Sequence, residues 1–353
     1  MKFIVAFDSF KGCISAGEAC DAAAEGIHAV FPDAVVVKLP LSDGGEGLVE
    51  CVRRMFPVVD VDLTVHGPLM DVVRCSYAMS PDGKTAYMEM AAAGGLTLIP
   101  EDRRNPLDAT TYGVGEMMAD ALGRGCGQIV VGLGGSATCD AGEGMLKALR
   151  DNDCLNASCK FVVACDVTNP LYGVNGAAYV FAPQKGATPG QLVILDNRLR
   201  DFANRAEEAG IASPGMANHP GAGAAGGLGY AFLAYLKAEL CSGIDIILDI
   251  ARFDKMIHDA DVVITGEGKS DAQTMMGKVP CGVQKRCMKA AVPVWLLSGA
   301  IEDAGCILSS HFDRVHCIND GDSRSLMQLL QPEVAKENIS RTVRRIMESG
   351  KSR

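Results

Sequence analysis

At both ends of the chain, short apolar runs alternate with capped helical patterns. Residues 3–7 read as a buried strand. Ser15-x-x-Glu18 is a capping box, after which Ala19, Ala22, Ala23, Ile27 and Val30 recur at helical spacing. Residues 34–41 read as a second strand, and Asp43-x-x-Glu46 as the cap of a second helix with Leu48, Val49, Val52 and Met55 on one side. Strands joined through helices run parallel, because a tight turn can only return the chain antiparallel. The last third repeats the pattern. Residues 261–265 form a strand ending in Gly266-Glu267-Gly268, and 292–298 another ending at Gly299. Residues 314–318 make a third. A final helix spans about 333–347, acidic at its start and basic at its end, as the helix dipole favours.

The middle reads differently. Hairpin-like runs at 72–79 and 85–90 flank Pro81-Asp82-Gly83, and the longest glycine loops follow. The chain has 353 residues, enough for two domains of ordinary size. The expected fold is therefore α/β with two domains. Residues 1–65 and 255–353 build a discontinuous parallel-sheet domain of Rossmann or flavodoxin-like type. Residues 66–254 form an inserted, glycine-rich α/β domain with a mixed sheet. The ligand cleft is expected between them.

Charge narrows the partners. Asp and Glu number 43 against 33 Lys and Arg, a net charge of −10. A surface of that average sign is repelled by nucleic acid and by anionic membranes, while a local pocket can still hold a small anion. The uncharged stretch 221–236 is too short and too glycine-rich to span a bilayer. Asp8 and Lys11 interrupt the first apolar run before it reaches signal-peptide length, so a cytoplasmic protein is expected. The 14 cysteines include no Cys-x-x-Cys pair, and the nearest cluster, Cys154, Cys159 and Cys165, has no histidine beside it. Ordinary reduced thiols are expected.

A parallel sheet binds ligands beyond the carboxyl ends of its strands. Here those ends carry Asp8-Ser9-Phe10-Lys11-Gly12 and Ser42-Asp43-Gly44-Gly45-Glu46-Gly47. In the middle segment, a strand at 128–131 leads into Gly132-Leu133-Gly134-Gly135-Ser136-Ala137-Thr138, with Asp140-x-x-Glu143 starting a helix. A glycine loop feeding a helix N-terminus offers backbone N–H groups to a phosphate. A purely structural turn is the other reading. Gly132-x-Gly134-x-x-Ala137 also fits a dinucleotide fingerprint, but no strand ending in an acid follows about 20 residues on. Gly266-Glu267-Gly268-Lys269-Ser270 imitates a P-loop, yet Val263 stands where that motif needs glycine. Lys185 precedes Thr188-Pro189-x-Gln191, a helix start with Thr188 as N-cap. It is either an anion-holding charge or a solvated loop lysine. Asp166 and Asn169 follow a strand at 161–163 and suit a metal or hydroxyl ligand as well as a turn before Pro170. The six histidines are dispersed, and no G-x-S-x-G elbow occurs.

Taken together, these segments resemble the type I glycerate kinases. The resemblance runs in order through Asp8-Ser9-Phe10-Lys11-Gly12, 39–47, Glu89-Met90-Ala91-Ala92-Ala93, Arg104-Asn105-Pro106 and Thr110-Thr111-Tyr112-Gly113. It continues through 134–138, 165–171, 183–187, 220–229, Thr265-Gly266-Glu267-Gly268 and Asp271-x-Gln273-Thr274. It implies ATP- and Mg²⁺-dependent phosphorylation of D-glycerate, usually on the 2-hydroxyl. Phosphoryl transfer needs alignment and charge neutralisation more than covalent chemistry. On that reading Gly134, Gly135, Ser136, Thr138 and Lys185 meet the ATP phosphates. Asp8, Ser9, Asp43, Arg104 and Glu267 meet the substrate. Asp166, Asp271 and Lys11 are catalytic, with Asp166 and Asp271 also on the metal and Asp166 as the base. A monomer or homodimer is implied. Cys139, Ala141, Glu143 and Lys269-Ser270 depart from the family's usual residues, and the 150–160 connection is short. These departures keep open another 2-hydroxy acid, or a relative that binds without turnover.

Overall fold

The structure is a computed structural model that describes residues 1–42 and 47–351. Its strands are β1 (Lys2–Phe7), β2 (Val35–Lys38), β3 (Val59–His66), β4 (Val72–Met79), β5 (Thr85–Glu89), β6 (Gln128–Gly132), β7 (Lys160–Ala164), β8 (Glu239–Cys241), β9 (Val262–Ser270), β10 (Val294–Ile301) and β11 (Arg314–Cys317). They form two sheets, and the chain divides into two compact units: Met1–Asp43 with Ile244–Arg353, and Gly44–Gly243.

The first unit is built from both chain ends. Its five-stranded sheet runs β11-β10-β9-β1-β2 with every pair parallel. Numbered within the sheet, that is the doubly wound order 2-1-3-4-5, whose direction of winding reverses between β1 and β9. The central strands β1, β9 and β10 begin as buried apolar runs because both faces are covered there, whereas the edge strands β2 and β11 are only partly buried. Helix Ala16–His28 begins at the expected capping box, where the Ser15 N–H donates to Glu18 at 2.9 Å and the Glu18 N–H to Ser15 Oγ at 3.3 Å. It packs on the last helix, Pro332–Lys351. Phe3, Phe7, Ile27, Ile339 and Val343 share the core between them.

The second unit holds a six-stranded mixed sheet, β3-β4-β5-β6-β7-β8. The first two pairings are antiparallel and the last three parallel. Met88, Met117, Met145, Tyr230 and Phe232 belong to its core.

Three expectations change. The proposed boundary at 65/66 moves to 43/44 because β3 pairs along its whole length with β4, and helix Leu48–Met55 packs on β4 and β5. The later boundary moves from 254/255 to 243/244. Gly266-Glu267-Gly268 lies inside β9 rather than beyond it, since pairing with β10 continues to Ser270↔Ile301. Gly266 is what permits that approach: a Cβ there would sit 1.8 Å from the Leu297 carbonyl oxygen. The Asp43-x-x-Glu46 cap lies outside the described residues.

Candidate active site

Each unit carries a cavity at the carboxyl ends of its parallel strands, where the sheet geometry predicts one. In the first unit the cavity measures about 550 Å³. Asp8, Ser9 and Lys11 reach it from the end of β1, Glu267 and Lys269 from β9, Gly299 and Ala300 from β10, and Asn319 from beyond β11. Asp8 and Glu267 are neighbours across paired strands: Phe7 is in register with Gly266, and the Asp8 N–H donates to the Gly266 carbonyl at 2.9 Å. Both carboxylates are almost fully buried. Asp8 Oδ1 accepts the Ser9 N–H at 2.6 Å. Glu267 Oε1 accepts the hydroxyls of Ser270 at 3.0 Å and Thr274 at 2.6 Å, and Ser270 pairs in turn with Ser298 at 2.6 Å. Lys278 stands 3.5 Å from Glu267 Oε2. A buried charge persists only when paired and hydrogen-bonded, and Glu267 is both. Phe10, Ile318, Leu326, Leu329 and Leu330 add an apolar wall to the same cavity.

Asp271 does not line that cavity. It N-caps the short helix Ala272–Met275, where Oδ1 accepts the Gln273 N–H at 2.9 Å. Asp43 lies outside the described residues.

In the second unit a cavity of about 420 Å³ gathers Gly134, Gly135, Ser136, Asp166 and Lys185, with Gln184 and Phe181 beside them. Lys185 is the structural surprise. A lysine in a loop before a helix is ordinarily solvated, yet this one is only 3% exposed. Its ammonium donates to Ser136 Oγ and to the Thr138 carbonyl, each at 2.7 Å, and so ties down the glycine loop. Burial pushes its pKa down from the usual lysine value to about 8, with Cys139 and Asp140 opposing the shift. Asp166 Oδ1 accepts the Gly243 N–H at 3.0 Å, which fixes the carboxylate's orientation. Thr138 is buried, and its Oγ1 has no hydrogen-bond partner. Arg104 does not line the cavity. It lies under the Lys185-Gly186 turn, where a Cβ on Gly186 would come 2.5 Å from its carbonyl oxygen, and its Nε is buried without a partner.

The expected phosphate cradle is different in detail. The helix after the glycine loop starts only at Glu143, behind Gly142 in the left-handed region. Asp140 accepts the N–H groups of Gly142 and Gly144 at 3.1 and 3.2 Å, and Thr111 Oγ1 accepts that of Met145 at 2.9 Å. Those N-terminal donors are therefore taken by the protein itself. The Ala137 N–H is also used, by the Gly94 carbonyl.

Asp166 and Asp271 fall in different units, so neither unit by itself pairs them. Among the described residues no group of three or more His, Cys, Asp or Glu side chains is placed to hold a metal. No helix among the described residues is long and apolar enough to cross a membrane. Sequence reasoning missed Lys278, four residues past the Asp271-x-Gln273-Thr274 motif, and the leucines at 326–330, which sit far along the chain from any motif.

The description "Glycerate kinase family" belongs to the family model that matches residues 3–153 and 150–351. A glycerate kinase of Bacillus subtilis is 43% identical over 349 residues, 91% of each chain. A glycerate 2-kinase of Escherichia coli K12 is 41% identical over 338 residues, 88% of each chain. A crystal structure from Salmonella typhimurium LT2, of a "putative glycerate kinase 2", superposes with a TM-score of 0.84 at 37% identity, covering 100% of this chain and 98% of that one. With near-complete coverage by sequence and by structure, this chain belongs to the glycerate kinase family.

Proposed function

We propose that the protein transfers the γ-phosphoryl group of ATP to the 2-hydroxyl of D-glycerate, giving 2-phosphoglycerate and ADP. The observation that carries this reading is the buried Lys185 ammonium, which lines the glycine-loop cavity together with Asp166, in a chain from this family. A three-carbon acid has one strong handle, its carboxylate. An ammonium with two protons committed to Ser136 and Thr138 has a third for an anion. Asp166 is the base: its carboxylate takes the 2-hydroxyl proton as that oxygen bonds to phosphorus and the bond to the ADP leaving oxygen breaks. The 2-position is supported by the Escherichia coli relative's name.

Mg²⁺ needs hard oxygen donors and binds through one or two carboxylates together with substrate phosphates. The carboxylates of Asp8 and Glu267, from neighbouring positions on paired strands and lining one cavity, fit that requirement, whereas Asp271 serves as a helix cap. When bound, the ion neutralises phosphate charge. Fourteen free cysteines suit the reducing cytoplasm, where we place the enzyme.

The test is purified protein with ATP, Mg²⁺ and D-glycerate, with the product read by proton-coupled ³¹P NMR. Phosphorus on the 2-oxygen couples to one proton and gives a doublet. Phosphorus on the 3-oxygen couples to two and gives a triplet. A triplet refutes the regiochemistry, and no phosphoglycerate at all refutes the substrate.

A further inference from the structure

We propose that the adenine nucleotide seats in the first unit's cavity, its purine against the slot made by Phe10, Ile318, Leu326, Leu329 and Leu330, which leaves the glycine-loop cavity to the hydroxy acid. The inference rests on the kinase reading above and assigns its two reactants to two places.

The purine face separates the two ligands. Small-molecule pockets of about 300–1,000 Å³ hold nucleotide-sized ligands in mostly apolar surroundings with a few polar anchors. The cavities of about 550 and 420 Å³ both have that size, so the apolar wall and the position decide between them. A three-carbon acid with three oxygen-bearing groups gains nothing from an apolar wall. A purine face does, at about 25 cal/mol for each Å² of apolar surface covered. The wall is also unusual on its own terms. Leu326 is 72% exposed and Leu330 45%, beside Met327 on the same short segment. Large apolar side chains gathered at a cavity mouth mark a surface that a ligand covers.

Position agrees. In a doubly wound sheet the ligand crevice opens where the winding reverses, and this cavity lies at the carboxyl end of β1 and the carboxyl-terminal half of β9, the two strands flanking that point. Its polar end carries both signs: Lys11, Lys269 and Lys278 stand with Asp8, Glu267 and Glu302, Lys269 being paired with Glu302 at 2.8 Å and Lys278 with Glu267 at 3.5 Å, a mixture that suits a polyphosphate together with its cation. The rival location is weaker. The helix N-terminus behind the glycine loop is already satisfied by Asp140 and Thr111, so it has no free dipole end to offer a phosphate.

Photolabelling of the wild-type protein with 8-azido-ADP, followed by peptide mapping, reads the base position directly. Adducts within residues 318–335 are expected. Adducts confined to 133–139 or 181–187 overturn the placement, as does the absence of any adduct in protein that binds ADP. Independently, the double variant Leu326→Ser, Leu330→Ser alters only solvent-exposed side chains. Its affinity for a fluorescent mant-ADP should fall at least tenfold, while the Michaelis constant for glycerate stays within twofold. Unchanged mant-ADP affinity overturns the slot. The two proposals fail separately. Protein that makes phosphoglycerate but labels only on the glycine loop refutes the slot and keeps the reaction. Protein that labels at 318–335 but makes no phosphoglycerate refutes the reaction and keeps the slot.

Discussion

Lys185 shows how a single residue's role depends on where its side chain is put. Its protonated form holds the loop and is free to meet an anion, and burial brings its pKa down to about 8. The value of kcat/KM reports ionisations of the free enzyme. It should therefore fall for glycerate about tenfold per pH unit above about 8, while the Lys185→Met variant loses this descending limb. One charge-assisted hydrogen bond contributes about 1.5–3 kcal/mol, so at pH 7 the same variant should lose roughly 10–150-fold in kcat/KM. A limb that persists in the variant would assign the ionisation elsewhere. The stability sign follows from the same shift. The folded pKa lies below the unfolded one, so between about 8 and the usual lysine value the unfolded chain binds more protons. Stability contributed at this site rises with pH across that window. The two aspartates suggested by sequence now separate. Asp166→Asn should cost about 10²–10⁴ in kcat, the usual loss for a general base. Asp271→Asn should cost less than tenfold, since asparagine caps a helix about as well as aspartate. Steady-state kinetics on the two variants compares them directly. Sequence marked Lys185 and Asp166 because each follows a strand or precedes a helix. It could not show Lys185's burial, which is made by Ser136 and Thr138 almost fifty residues away.

Among the elements, the glycine loop was legible and its connection was not. The strand and loop lie where the apolar run and glycines put them, but the helix waits for Gly142, because Asp140 folds back to hold the intervening backbone. Local spacing sees an Asp-x-x-Glu cap and cannot see that Asp140 also accepts the Thr111 N–H and hydroxyl, at 2.8 and 2.9 Å. A second glycine segment braces this loop from behind. Ala225, Gly226 and Gly227 all have positive φ, and the Gly226 carbonyl accepts the Ala141 N–H at 3.1 Å. A Cβ on Gly226 would fall 2.0 Å from the Thr138 carbonyl oxygen, the same atom that receives Lys185. Gly226→Ala meets both backbone strain and a clash that no rotamer relieves. It should lower stability by about 2 kcal/mol or more in urea denaturation, and lower kcat/KM as the Lys185 contact is displaced. A variant with unchanged midpoint and kinetics would show that this brace carries nothing.

For the molecule as a whole, the joining of the two chain ends in one parallel sheet was readable, because the strand and capped-helix pattern appears at both ends and nowhere else as regularly. The boundary was not readable, because residues 59–66 look like any alternating strand until β4 pairs with them. The two units have separate sheets and separate cores, and chemistry has labelled them for spectroscopy. The single tryptophan, Trp295, lies in β10 of the first unit. All seven tyrosines, from Tyr77 to Tyr235, lie in the second. Gly26 is a point of close approach between the first and last helices of the first unit. A Cβ there would sit 2.5 Å from the Ser340 carbonyl oxygen and 2.9 Å from Val343 Cβ. Backbone on backbone leaves no soft side chain to move, so Gly26→Leu must push the helices apart and open the core that holds Ile27, Ile339 and Val343. The expected cost is about 1–3 kcal/mol, or more where the helices cannot shift. In urea, the tryptophan transition of Gly26→Leu should move to lower denaturant while the tyrosine transition keeps its wild-type midpoint. Domains with their own cores unfold in this separable way. If both probes shift together and remain superimposable, the units are one cooperative body, and the division of the chain at residues 43/44 and 243/244 describes geometry without describing stability.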